Sequence, residues 1–566
     1  MAPGTDRLSH IALLVLGLAV AVPLAAGISG TVLPAIGWFP ALGARSFSTD
    51  PWLTFLATPG LMRAVILSLT TGLIASFLSF IASFALIVAL SSRTSAQLLR
   101  TIMGPLIAVP HSTMAIGILF LLAPSGWLMR ILSPDLTGFL RPPVTGILPD
   151  LEFYGLIVAL MAKEIPFLLL VSMAVLATRP AAQLANIGRS LGYRHGTAMW
   201  LLVMPAIYRG IRLPLAAVLV FSVSVVDMPL VLGPGLPPPL AVLVVYGFEE
   251  PDLLARLPAA AGAMLQAGLA LAALVIWRIG EIVTSQILRR WRRRGWRRFL
   301  PPVAGHILTG MAGLPVITGI LGLVTACLWS VTTSWFFPDA LPAMISLEPL
   351  LRVRSLMPAL AATLIAGGIG SILATAVSLL VLQSGLVTRI GPALHWMICI
   401  PLLLPQISIV TGLQMMMLWT RLDGSWLAMI WIHMLFILPY AWLVMAPAHA
   451  ALDPRYDRVA ASLGKGGWHR FRSITLPLLA PALTTVLFLG MSVSVALYLP
   501  SLFAGGGRMT TITLEAVALA AGGSRQMAGL AAMLQLAIPL VTFVCLQGWF
   551  RWRYEKFAGM RGGGLH

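Results

Sequence analysis

Charge is what this chain has least of. Asp and Glu number 18 and Lys and Arg 37 among 566 residues, so that charged side chains make up 10% of the sequence against 59% hydrophobic. Mean hydropathy is +0.94. The polar surface of a soluble protein cannot be assembled from that composition, which places the chain in a bilayer. Cysteine is equally scarce. Cys327, Cys399 and Cys545 each fall inside an apolar run without paired spacing, which excludes a disulfide framework or a cysteine-held zinc and leaves them as small packing residues. A nucleotide-binding P-loop is missing as well: Gly464-Lys465-Gly466 puts glycine where the magnesium-holding hydroxyl belongs. No polar stretch is long enough for a nucleotide-binding domain.

Apolar runs are what the sequence has instead. A spanning helix needs ~20 apolar residues, and windows of that kind cover 10–33, 62–91, 101–123, 154–177, 213–233, 258–278, 303–330, 355–383, 391–419, 426–446, 479–502 and 526–549. Their length and continuity predict helices rather than the alternating strands of a barrel. The first run reads as an uncleaved signal anchor, since further spans follow it. Lys and Arg concentrate on the side that holds both termini, which predicts cytoplasmic ends. The densest cluster, Arg289 to Arg298, marks a seam between spans six and seven. A net charge of +19 could suggest nucleic acid, but basic runs beside spans are topology signals that meet anionic lipid. Membrane lipid is therefore the expected partner and nucleic acid is not.

The chain also repeats itself. Gly192, nine residues, Leu202, one residue, Met204 and Pro205 return as Gly464, nine residues, Ile474, one residue, Leu476 and Pro477, 272 residues later. Gly72, Pro110 and Gly117 match Gly367, Pro405 and Gly412 at an offset of 295. A longer segment from Ala123 to Tyr154 then shifts the register, and Ala263-Met264-Leu265-Gln266 matches Ala532-Met533-Leu534-Gln535 at 269. Six spans per repeat is an even number, so the halves face the same way about a pseudo-two-fold along the membrane normal. The expected architecture is all-α and integral to the membrane, with about twelve spans in two parallel six-helix halves. Residues 1–288 form the first half with a cytoplasmic loop at about 180–210, residues 289–299 the basic seam, and residues 300–566 the second half with its loop at about 452–478. Gly192 and Gly464 allow a turn that a side chain would block, and Pro205 and Pro477 are expected in the first turn of a helix re-entering the membrane.

These loops resemble the signature of the membrane subunits of type I binding-protein-dependent ABC importers: Glu-Ala-Ala, three residues, Gly, nine residues, Ile, one residue, Leu, Pro. The chain departs from it at Asn186-Ile187-Gly188 and Arg458-Val459-Ala460, both without the acid. The strings SVSVVDMPLVLGP and SVSVALYLPSLFAGGGRMTTITLEAVALAAGG are similar to those of fused permeases grouped with thiamine and ferric-iron uptake. The resemblance implies a bacterial inner-membrane permease, itself not an enzyme and holding no cofactor or metal, that moves a small solute by alternating access. A cytoplasmic ABC ATPase dimer would bind ATP and magnesium and dock on the loops through Asn186, Gly192, Leu202, Pro205, Arg458, Gly464, Ile474 and Pro477. A periplasmic solute-binding protein would deliver the solute, thiamine-like or ferric iron by the same resemblance.

Polar residues inside the spans are candidates for the path, because charge at that depth costs ~2.5 kcal/mol or more unless it faces protein or water. They are Lys163, Glu164, Asp227, Gln266, His433 and Gln535. Each could instead only hold helices together, and a Lys163–Asp227 ion pair is the expected structural arrangement. Gln266 and Gln535 recur at matched positions, which suits symmetric packing or gating. Asp227, Glu164 and His433 leave open, as carriers, a twelve-span secondary transporter driven by a proton or sodium gradient, which would not account for the repeated loop. A membrane enzyme ranks last, for want of a clustered nucleophile, metal ligands or acid–base pair.

Overall fold

A computed structural model of the chain describes residues 3–89, 93–144, 146–148, 150–178, 181–233, 235, 237–295 and 302–554. The end of the basic seam (296–299), residue 180 at the margin of the first loop, and residues 300, 301 and 555–566 of the expected second half lie outside the described residues.

Backbone polar groups in hydrocarbon must be satisfied within the segment, so the apolar runs become helices. The principal helices of the first repeat are α1 (Arg7–Ala35), α2 (Leu61–Ala89), α3 (Arg93–Ala108), α4 (His111–Leu122), α5 (Leu156–Ala177), α6 (Ala181–Ser190), α7 (His195–Ser224), α8 (Asp227–Leu232), α9 (Leu240–Glu249) and α10 (Arg256–Arg294). Those of the second are α11 (Pro302–Ser330), α12 (Val353–Gln383), α13 (Pro392–Leu403), α14 (Ile407–Trp419), α15 (Trp426–Ala450), α16 (Pro454–Ser462), α17 (Gly467–Leu478), α18 (Ala480–Ala496), α19 (Leu499–Gly505), α20 (Ile512–Ala521) and α21 (Arg525–Tyr554). Among the described residues ten helices are long and apolar enough to cross a bilayer, and the total reaches 12 when two bent pairs count as one crossing each: α13 with α14, at 97°, and α17 with α18, at 70°.

The expected windows 101–123, 213–233 and 479–502 each straddle a break. Val109 and Pro110 separate α3 from α4, Val225 and Val226 separate α7 from α8, and Leu497 and Tyr498 separate α18 from α19. A fourth break, at Leu404 to Gln406, lies between α13 and α14. Hydropathy cannot register these, because the breaking residues are mostly as apolar as their neighbours. Proline accounts for one of them, since the residue before it is pushed out of the α region: Leu404, before Pro405, is extended. At another break Pro110 is itself extended as the residue before α4. The Gly- and Pro-rich stretches after Leu232 and Phe503 lead into the short, largely buried helices α9 and α20, with Glu515 in the first turn of α20.

Within each repeat, α2 packs on α5 and α7, as α12 packs on α15 and α18. The first helix of each repeat crosses over: α1 lies on α14 and α11 on α4. Glycine allows both crossings. A Cβ on Gly117 would stand 2.7 Å from the backbone of Gly322, and one on Gly30 would stand 2.7 Å from the backbone of Gly412. Each of the two apolar cores therefore draws on both repeats. The longer segment after Ala123 carries Arg130, which donates to the Phe336 carbonyl at 2.6 Å and lies 5.0 Å from the Trp335 ring, tying this insertion to the residues that follow α11.

The broken ends are closed by buried side chains. Lys163 on α5 donates to the last-turn carbonyls of α3, Leu106 at 3.4 Å and Ile107 at 2.5 Å. Gln266 donates to Val223 in the last turn of α7 (3.2 Å), and Gln535 to Val495 in the last turn of α18 (3.4 Å). Ser68 accepts from the first amide of α9 at 2.8 Å, and Thr363, 295 residues later, from the first amide of α20 at 2.9 Å.

Two stability predictions follow from these contacts. Gly412→Leu or Gly117→Leu forces two backbones apart and is expected to cost at least about 1–3 kcal/mol, read as a lower thermal midpoint of the purified protein, whereas Gly310→Ala, which meets open space, leaves it unchanged or slightly raised. Lys163→Met strands the part-buried Ile107 carbonyl at about 1–3 kcal/mol; a midpoint equal to wild type would refute the capping role.

Candidate permease site

The two repeated loops are built alike. In the first, the amide of Gly192 bonds the carbonyl of Arg189 (2.9 Å) and that of Tyr193 the carbonyl of Gly188 (3.0 Å). In the second, Gly464 bonds Ala461 (3.0 Å) and Lys465 bonds Ala460 (3.1 Å). This paired bonding closes the C-terminus of α6 and of α16 and requires a left-handed residue after the helix. Glycine supplies it, with φ of 82° at Gly192 and 72° at Gly464. The chain then turns back into α7 or α17, so each loop is a short helical hairpin.

Pro205 and Pro477 sit second in their α-helical segments, yet the helix does not begin there. Each follows a π-helical turn, Met199–Val203 or Phe471–Thr475, that is continuous with the helix before it. A widened turn relieves the clash and the missing donor that proline brings to a helix interior. Leu202 lies in the first π turn and packs over Gly188, where a Cβ would come within 2.9 Å of it; Ile474 occupies the same place in the second. Asn186 and Arg458, at the positions of the absent acid, are both exposed.

Sequence reasoning passed over the most prominent chemistry of these hairpins. Ile187 and Leu191 on the first are 54% and 57% exposed, and Val459 and Leu463 at the matching positions are 59% and 70% exposed. The signal was available, since the pairs sit four residues apart on one helix face. The hairpins differ in bracing. Ala185 packs with α7 in the first, while Asp457 at the matching position pairs with Arg470 at 2.7 Å in the second.

The path candidates separate into two groups. The expected Lys163–Asp227 pair is not formed: Lys163 turns to the carbonyls of α3, and Glu164, pointing the other way, meets His111 with 3.6 Å between Nε2 and Oε1. Adjacent helix residues diverge by about 100°, so the two side chains hold opposite sides of the same break. His433 is fully buried between two hydroxyls, Ser494 at 2.7 Å and Ser501 at 3.1 Å, and joins α15 to α18 and α19. Gln266 and Gln535 are fully buried caps; Gln535 is also held by Ser112, Thr113 and Thr513.

Asp227 lines a cavity. A small space lies between the helix breaks, lined by Phe221 and residues 224–227 at the first, Gln406 at the second and Ala496, Tyr498 and Leu499 at the third. Gln406 and His111 occupy matching positions 295 residues apart. The His111 ring stands 4.3 Å from that of Phe221, which places the His111–Glu164 pair directly behind the cavity wall. Neither His111 nor Gln406 stood out in the sequence, because neither interrupts an apolar window enough to be noticed.

Comparison with known proteins agrees with this geometry. Residues 389–555 match the family described as the binding-protein-dependent transport system inner membrane component. The chain is 30% identical over 500 residues to the inner membrane ABC transporter permease protein YnjC of Escherichia coli (strain K12), covering 88% of this chain and 90% of that one. Tandem hairpins beneath a helical bundle, and likeness to such a permease along nearly its whole length, lead to one conclusion: the chain belongs to the binding-protein-dependent ABC transporter permeases.

Proposed function

We propose that this permease is the membrane-spanning part of an ATP-driven importer of the bacterial inner membrane, in which residues 1–288 and 300–566 act as two pseudo-symmetric halves joined by the basic seam. A separate cytoplasmic ATPase dimer, carrying ATP and magnesium, grips the hairpins α6–α7 and α16–α17. A periplasmic binding protein delivers a small solute to the opposite face, and both termini are cytoplasmic. The observation that carries this reading is the doubled hairpin, with the same left-handed glycine and the same exposed apolar pair in each copy. An exposed apolar face on a short rigid helix suits a groove on a partner, and its repetition suits a partner that is itself two-fold. Matched contacts between the repeats support the pseudo-symmetry: Thr113 donates to Ala532 at 3.4 Å and Ser408 to Ala263 at 2.7 Å, each reaching into the other repeat.

Alternating access then follows from differential grip. A partner shifts a conformational equilibrium only by the difference in its affinity for the two states, and the hairpins are where that difference is applied. The ion-gradient reading is not favoured by the family, and one of its three carriers, His433, is engaged in holding helices together. The solute is proposed to be thiamine-like or ferric iron only by the family resemblance of the sequence.

The double variant Leu191→Ser/Leu463→Ser removes one member of the exposed apolar pair from each hairpin without touching buried packing. Surface changes of this kind leave stability within about 0.5 kcal/mol, so an unchanged thermal midpoint is expected together with at least about a tenfold loss of ATPase co-purification. Wild-type recovery of the ATPase with this variant would overturn the proposed docking. Gly192→Val/Gly464→Val, which forbids the left-handed turn, is expected to give the same loss while still inserting into the membrane.

A further inference from the structure

Helix α10 is far longer than a bilayer needs. Its 39 residues reach about 58 Å, against about 30 Å of hydrocarbon. Apolar residues 258–278 fill the membrane, so residues 279–294 project on the side that carries the basic seam. Five of the last six are arginine, all exposed: Arg289, Arg290, Arg292, Arg293 and Arg294. Among the described residues none of the five forms an ion pair with a carboxylate. Arg289 and Arg292 bond back to their own helix, at the carbonyls of Ser285 and Leu288.

Contacts with α7 fix how far this tip reaches. The two helices run in opposite directions: Gln266 donates to the Val223 carbonyl at 3.2 Å, and Glu281 accepts from Tyr208 and, at 3.2 Å, from Arg212 Nε. Fifteen residues separate Gln266 from Glu281 and fifteen separate Val223 from Tyr208, so one register holds along the shared length. Trp277 donates to Tyr208 at 2.9 Å and completes a latch between the helices. Thirteen residues beyond Glu281 lies Arg294, and thirteen before Tyr208 lies His195, where α7 leaves its hairpin. At 1.5 Å per residue both stand about 20 Å past the latch, measured along the helices. The headgroup layer takes only about 5–8 Å of that, and lipid charge is screened over about 8 Å more. The end of the arginine tip is level with the hairpin and lies beyond the field of the lipid surface.

We propose that residues 289–294 are a second docking surface for the ATPase, meeting an acidic patch on the subunit that grips hairpin α6–α7. This deepens the importer reading and rests on it for the partner. A subunit seated on that hairpin lies at the depth of the tip, and packed helices are only about 8–10 Å apart, well inside the footprint of one protein. Unpaired like charges crowded on an exposed helix end favour a surface of opposite sign. The latch makes hairpin and tip two prongs of one fork, because Glu281 ties α10 to α7 at a fixed spacing. The second repeat has Phe550 in place of Glu281, and no arginine run of that density follows it. The fork belongs to the first repeat alone and gives the two ATPase subunits unequal grips.

The test uses the full-length permease in membranes together with the ATPase that co-purifies with it, and a photo-crosslinking side chain placed by Arg293→p-benzoylphenylalanine or, separately, by Leu191→p-benzoylphenylalanine. Illumination is expected to join both variants to the ATPase. An adduct with lipid alone, or no adduct, from position 293 while position 191 captures the ATPase would overturn docking at the tip and leave the importer reading standing. No ATPase adduct from either position would sink both. The triple variant Arg290→Gln/Arg293→Gln/Arg294→Gln keeps Arg289 and Arg292 beside the membrane. It is expected to retain the wild-type thermal midpoint while ATPase recovery at about 0.15 M salt falls at least about threefold and loses its salt dependence. Wild-type recovery from this variant would also overturn the proposal, and a lowered midpoint would leave the crosslink at position 293 to decide it.

Discussion

The constraint on which this structure depends is that a helix broken inside a membrane exposes backbone groups that no water can satisfy. The chain breaks four times at depth, and around these breaks buried side chains take over the orphaned groups. Lys163 covers the end of α3, Gln266 the end of α7, and Gln535 with Thr513 the end of α18. Ser68 and Thr363 receive the first amides of α9 and α20. Most of the polarity in the spans therefore exists because the backbone is interrupted, and it would be unnecessary in a bundle of straight helices.

The interruptions have a return. Helices packed side by side leave no room between them, whereas residues at three breaks meet around one small cavity. The same breaks decide how movement of the hairpins would reach it. Helix α7 runs unbroken from its hairpin to Ser224 on the cavity wall, while α17 and α18 turn through 70° on the way to Ala496. A push on the first hairpin is delivered along one rod. A push on the second must pass through the bend at Leu479, beside Pro481, so the two repeats offer unequal levers to a symmetric partner.

How much of this was legible in the sequence depends on which physical property wrote each feature. Depth is written in hydropathy, and every expected span corresponds to a helix or a bent pair. A left-handed turn is written in glycine, and Gly192 and Gly464 take the positive φ that their type permits. The crossing of α1 onto α14 was half written: Gly117 and Gly412 stood out as a matched pair, but their partners Gly322 and Gly27 did not, because a glycine in an apolar run has no local signature of what it touches. Breaks were hidden for a similar reason, since valine and leucine look alike in a helix and in an extended joint. Partner choice among buried charges could not be read at all. Lys163 and Asp227 are opposite in sign and lie on consecutive spans, yet a carbonyl pair at a broken helix end satisfied the ammonium group first.

The hairpins show which of their properties is constrained and which is free. Their hydrogen bonding, their glycine and their exposed apolar pair are the same twice, but the means of holding the two arms together is not. The first uses the close packing of Ala185 and Gly188 against α7, and the second a partly exposed Asp457–Arg470 pair. An ion pair exposed to solvent contributes about 0–1 kcal/mol, so the second hairpin is held more loosely, consistent with how little of it is buried. The same pair bears on the missing acid of the loop motif. Asp457 stands one residue before the expected position, but its carboxylate already faces Arg470 within its own hairpin. Neither hairpin therefore keeps an acidic side chain free at that place, and the face left for a partner is apolar, carried by Ile187 and Leu191 in one copy and by Val459 and Leu463 in the other.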